Sequence, residues 1–124
     1  MNKLRNELYT LERLGADDSA TPAVRFRVRL DPSHPLFAGH FPGQPVLPGV
    51  CTLDMVREAL SQLEGRPCRF AAIRDCKFTA PVDPRRTQEL ELDLTAADGL
   101  LTATAAAEGI AVLKLKASYI PLHG

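Results

Sequence analysis

The segment Gly39-His40-Phe41-Pro42-Gly43-Gln44-Pro45-Val46-Leu47-Pro48-Gly49-Val50 restricts the fold of this chain more than any other. Pro42, Pro45 and Pro48 fix φ, while Gly39, Gly43 and Gly49 permit backbone shapes that other residues resist, so the segment is committed to one unusual path. Such a path presents His40 at a fixed angle. Phe41, Val46, Leu47 and Val50 are interleaved with these residues, and that much apolar surface implies a loop tucked against a core rather than an exposed linker.

Beyond Pro48 the pattern turns helical. Leu53, Val56, Leu60 and Leu63 recur at three- and four-residue steps, which predicts a helix over about 49 to 64 with one apolar stripe. Pro48 is a start signal, and Gly65 followed by Pro67 is a stop signal. The free N–H groups of the first turn, Gly49 among them, suit a carbonyl oxygen that gains negative charge during a reaction. Asp54 follows Gly49 at roughly 7.5 Å along the axis, a separation that matches a short substrate stretched between carbonyl and leaving group. A base at His40, an oxyanion donor at Gly49 and an acid at Asp54 thus fall within one short stretch. The bland alternatives are a loop histidine, a tight-turn glycine and a solvated helix acid. Glu58 falls beside Asp54 on the helix and favours a proton on one of the two, whereas Arg57 opposes this by pairing with the carboxylate. The sequence leaves that balance open.

The remainder reads as antiparallel strands. Val24, Phe26, Val28 and Leu30 alternate with Arg25, Arg27 and Arg29, the period of a strand with one wet face. Leu8 to Leu14 can pair with it across the polar Gly15–Thr21 turn, while Leu4, Leu8 and Leu11 also permit a short helix. Further strands are expected at 68–79, 88–96, 100–107 and 110–120, with Asp98-Gly99 and Glu108-Gly109 as hairpin turns. The helical propensity of Ala103 to Ala107 yields to its place between two turns. One long helix with a long antiparallel sheet is an α+β arrangement.

At 124 residues the chain suits one domain, 1–124, and its formal net charge of zero calls for no nucleic acid. No apolar run is long enough to span a bilayer, and no charged-then-apolar leader follows Met1, so neither membrane insertion nor secretion is expected. Cys51, Cys68 and Cys76 lack zinc-type spacing, and His34 and His123 lack ligand companions and read as surface residues. The expectation is a reduced, cytoplasmic protein with no metal. Cys51, near the helix start, reads as a buried packing residue.

The central segment resembles the signature G-H-F-x-G-x-P-V-x-P-G of the bacterial 3-hydroxyacyl-acyl-carrier-protein dehydratases of the hotdog fold. In that family an acidic residue follows the histidine at the spacing that separates Asp54 from His40. Ala71 to Val82 resembles the family's strand after the helix, and the likeness runs from about residue 20 to 120. It implies a long central helix wrapped by a curled antiparallel sheet of five to six strands, and no cofactor. It also implies dimers in which the histidine of one subunit meets the helix acid of the other, some stacked as trimers of dimers. The implied partner is an acyl carrier protein bearing a phosphopantetheine-linked acyl chain. The implied reaction is dehydration of a 3-hydroxyacyl thioester to a trans-2-enoyl thioester in fatty-acid or polyene-type lipid synthesis. In it His40 removes the C2 proton, the Gly49 N–H stabilises the thioester oxygen and Asp54 assists the leaving hydroxyl. For Asp54 to donate a proton near neutral pH, burial in an apolar tunnel is expected. Phe41, Leu47 and Leu53 are candidate apolar walls for the acyl chain. Arg85 and Arg86, in a locally basic stretch, are candidate docking residues for the acidic carrier.

Asp54 stands where the general dehydratases carry Glu and the isomerising branch carries Asp. Glu58 replaces the family's usual Gln, and Thr79 and Ala80 replace a common basic pair. Two other readings therefore stay open: a hotdog acyl thioesterase, and a non-catalytic acyl-binding dimer partner.

Overall fold

Alternating side chains and two tight turns organise the sheet. In the computed structural model, which describes residues 8–14, 23–39 and 46–122, the elements run β1 (Tyr9–Arg13), β2 (Val24–Leu30), α1 (Pro35–Gly39), α2 (Gly49–Glu64), β3 (Cys68–Phe78), β4 (Glu89–Ala97), β5 (Leu100–Ala107) and β6 (Ile110–Pro121). The strands form one antiparallel sheet in the order β1-β2-β4-β5-β6-β3. Asp98 and Gly99, then Glu108 and Gly109, all have φ between 53° and 81°. Positive φ at both central residues is the geometry whose twist matches right-handed strands, so each pair closes a two-residue hairpin.

Phe26 and Val28 are fully buried in β2 and face Leu92 and Leu90 of β4 in register, while Arg25 lies opposite Asp93 on the wet face at 3.2 Å. The N-terminal segment resolves as a strand, with Tyr9 opposite Leu30 and Arg13 opposite Phe26. β3 carries register shifts at Phe70/Ala72 and Ile73/Asp75, and β5–β6 one at Ala105/Ala106. Such bulges raise the local twist, which lets the sheet curl.

The helix lies in the hollow of that curl, against β1, β2, β3 and β4. This is the hotdog fold, with six strands around one long central helix. α2 ends where expected: Gly65 adopts φ 77°, and its N–H bonds back to the carbonyls of Ser61 and Gln62. Its buried face differs from the leucine stripe, however. Cys51, Thr52, Met55, Val56, Ala59 and Leu60 are buried, whereas Leu53 and Leu63 only half enter the core. A sheet wrapping the helix covers a wider arc than one leucine seam, and small residues let it approach closely.

α1 was not legible beforehand. The Asp31 carboxylate accepts from both the amide and the hydroxyl of Ser33, and His34 Nδ1 accepts from the Leu36 amide at 3.0 Å. His34 is accordingly half-buried rather than a plain surface residue. Pro35 at the first helical position was the available signal. Among the described residues no helix is long and apolar enough to cross a membrane.

Candidate functional site

Pro48 enters α2 in extended geometry, φ −62° and ψ 140°, and its carbonyl accepts from the amides of Cys51 at 3.0 Å and Thr52 at 3.4 Å. No described residue accepts a hydrogen bond from the Gly49 amide. The approach is pinned one residue earlier by Leu47 N–H donating to the Val82 carbonyl at 2.9 Å.

A cleft of about 460 Å³ opens at this helix start, lined by Val46, Leu47, Gly49, Thr52, Val112 and the run Phe78 to Val82. That volume falls within the range of small-molecule sites. The Phe78 ring lies over Gly49 so closely that a Cβ added there would sit 2.7 Å from Cζ. Glycine at 49 therefore serves close approach of that ring, and its φ is not positive, so the backbone there does not itself require glycine. Thr79, in place of a basic residue, is tied into the wall: its amide and hydroxyl donate to the carbonyls of Val112 and Ala111.

Asp54 does not line this cleft. At 100° per residue it lies roughly 140° around the helix from Gly49. Tyr9 Oη donates to its Oδ2 at 3.0 Å, and Arg57 Nη2 donates to its Oδ1 at 2.9 Å and to Glu58 Oε1 at 3.2 Å. The arginine therefore bridges both carboxylates. These neighbours are polar, where an apolar tunnel was expected. Burial opposes the Arg57 charge, but the two carboxylates outweigh it and raise its pKa. Burial first, and then the Asp54 carboxylate, hold the Tyr9 hydroxyl far above its usual range. Burial and Asp54 also push the Cys51 thiol up, so it is a packing group and not an activated nucleophile.

Of the proposed walls, Leu47 is buried and lines the cleft, and Leu53 is half-buried against the core away from it. His40, Phe41 and His123 lie outside the described residues, as do Leu4, the Gly15–Thr21 turn and the loop from Pro42 to Pro45. Arg85 and Arg86 are exposed and line a polar depression of about 750 Å³ that shares Val46 and Pro81 with the apolar cleft. Arg85 is bound to the Asp83 carboxylate through its backbone amide and guanidinium, and holds that carboxyl below its usual range. Among the described residues Arg86 makes no ion pair with a carboxylate, although its charge also helps hold the Asp83 carboxyl down. No cluster of His, Cys, Asp and Glu among them could hold a metal ion. Tyr9 and Phe78 carried no sequence signal for these places, since each meets its partner only through the tertiary fold.

A sheet curled around a helix whose first turn opens on an apolar cleft defines a hotdog-fold protein, and comparison places the chain in a family of that class. It belongs to the ApeI-like family of dehydratases, whose model matches residues 16–114. The 3-hydroxyacyl-[acyl-carrier-protein] dehydratase FabZ of Herpetosiphon aurantiacus is 41% identical over 69 residues, covering 50% of this chain and 49% of that protein. FabZ of Symbiobacterium thermophilum is 39% identical over 71 residues, covering 52% and 50%. The matched stretch thus spans about half the length of these curated relatives. Among solved structures, a chain of the dehydratase heterocomplex ApeI:P from Xenorhabdus doucetiae superposes with a TM-score of 0.71 at 26% identity, covering 89% of this chain and 97% of that one.

Proposed function

We propose that this protein is a dehydratase acting as one domain on 3-hydroxyacyl groups carried as thioesters on an acyl carrier protein, and that it releases trans-2-enoyl thioesters reversibly. The observation that carries this reading is the Gly49 amide: it has no acceptor among the described residues and opens on an apolar cleft in a chain of a dehydratase family. His40 takes the C2 proton, and the charge that develops on the thioester oxygen is met by the Gly49 N–H and the positive end of α2. The C3–O bond then breaks, and the hydroxyl leaves as water with a proton delivered from Asp54, directly or through a water molecule. The proton now on His40 returns to the acid side to reset the site.

The assembly proposed is a homodimer in which His40 and Asp54 act from different subunits. β3 supports it: among the described residues the strand is paired by β6 on one side only, and leaves Ile73 and Phe78 about half exposed. A long free edge of this kind is a template for a second chain. All three cysteines are free thiols, in keeping with a reduced cytoplasm. Likeness to a chain of a heterocomplex favours a second reading, an acyl-binding subunit within a two-chain enzyme.

Incubation with a trans-2-enoyl-carrier thioester, followed by mass measurement, separates the readings. Gain of water supports the dehydratase, release of free acid supports a thioesterase, and an unchanged thioester supports binding alone. Docking has its own test. Arg86→Glu is expected to raise KM for carrier-bound substrate about five- to tenfold and to leave a small thioester mimic unaffected. Equal slowing of both substrates counts against a docking role. Arg86 is the informative member of the pair, because Arg85→Glu also releases Asp83.

A further inference from the structure

Tyr9 is buried, at 2% exposure, on the first strand, 45 residues from the acid it touches. A buried phenol needs a partner for its hydroxyl, and Asp54 Oδ2 supplies it. A phenylalanine would fill the same space, so packing alone does not account for the oxygen. Asp54 Oδ1 is held from the other side by Arg57, which Glu58 anchors in turn. A short acid on a helix surface ordinarily exchanges rotamers. Here the two carboxyl oxygens accept from donors on two different elements. One of those donors belongs to a strand hydrogen-bonded into the sheet.

We propose that Tyr9 is a positioning residue for the reaction, fixing the Asp54 carboxyl from the sheet side while Arg57 fixes it from the helix. This rests on the reading of Asp54 as the site acid. Without the phenol, the carboxyl loses its hydrogen bond to the sheet and keeps the one to Arg57 on its own helix. Small misplacement of a reacting group costs turnover far more than substrate binding.

A double-mutant cycle tests it, using hydration of a trans-2-butenoyl group on an acyl carrier protein as the assay. Tyr9→Phe is expected to lower kcat about tenfold and to change KM by less than about twofold. Beside Asp54→Asn, the same change is expected to alter the residual kcat by less than about twofold, because its target is already gone. A wild-type kcat in Tyr9→Phe next to a crippled Asp54→Asn overturns the positioning role alone. An equal tenfold loss in both backgrounds also overturns it, since the hydroxyl then acts on the fold. A wild-type rate in Asp54→Asn removes the acid assignment itself. Thermal melting checks that each variant is folded. Arg57→Gln, whose side chain is part-exposed, repeats the cycle from the helix side if loss of the buried hydroxyl unfolds the chain, with the same split between kcat and KM expected.

Discussion

Replacing His40 by Ala is expected to lower the rate of water addition to an enoyl-carrier thioester by at least about a hundredfold, the lower end of what a positioned general base contributes. The C2 proton of a thioester is a weak acid, and no other titratable side chain lies on the segment that leads into α2. Asp54 does not line the cleft onto which Gly49 opens. The variant should assemble like the parent in native mass spectrometry. A wild-type rate would exclude His40 as the base.

Mixing two inactive proteins is expected to restore activity. If His40 and Asp54 meet across a dimer, a mixed dimer of His40→Ala and Asp54→Asn holds one site with both defects and one with neither. Random exchange makes half the dimers mixed, so activity should return to about a quarter of the parent value. The opposite arrangement, with both groups in one chain, leaves every site of every dimer defective. A mixture that stays inactive after unfolding and refolding together would therefore refute the shared site. The geometry within one chain favours sharing: Gly49 faces the apolar cleft, and Asp54 is turned away from it toward β1.

Features fixed by neighbouring residues are legible in this sequence, and those fixed by the tertiary fold are not. The helix from Gly49 to Glu64 and the strands after it follow from apolar period and turn chemistry, both written within a few residues. Asp98-Gly99 and Glu108-Gly109 close hairpins because their positive φ values are a property of the turns themselves. By contrast, the leucine stripe misjudged the buried face of α2, since what covers a helix depends on a sheet assembled from distant segments. The spacing of Asp54 from Gly49 was readable as distance along an axis, but their divergence around the helix was read only from the fold. Tyr9 was invisible as a partner of Asp54 because nothing local to either residue requires the other. Phe78 over Gly49 was hidden for the same reason.

The two-residue hairpins carry a consequence for how the chain reaches its native state. They join β4, β5 and β6 by the shortest connections in the sheet, while β3 must find β6 across the whole intervening meander, with Cys68 opposite Pro121. Closing a short loop sacrifices far less chain entropy than closing a long one, so the meander is the expected early nucleus and the outer strand the late arrival. In pulse-labelled refolding, amides of Leu101 and Ala103 should gain protection before those of Phe70 and Ile73. In the proposed dimer, β3 would then be offered to a second chain only once the rest of the sheet exists to support it.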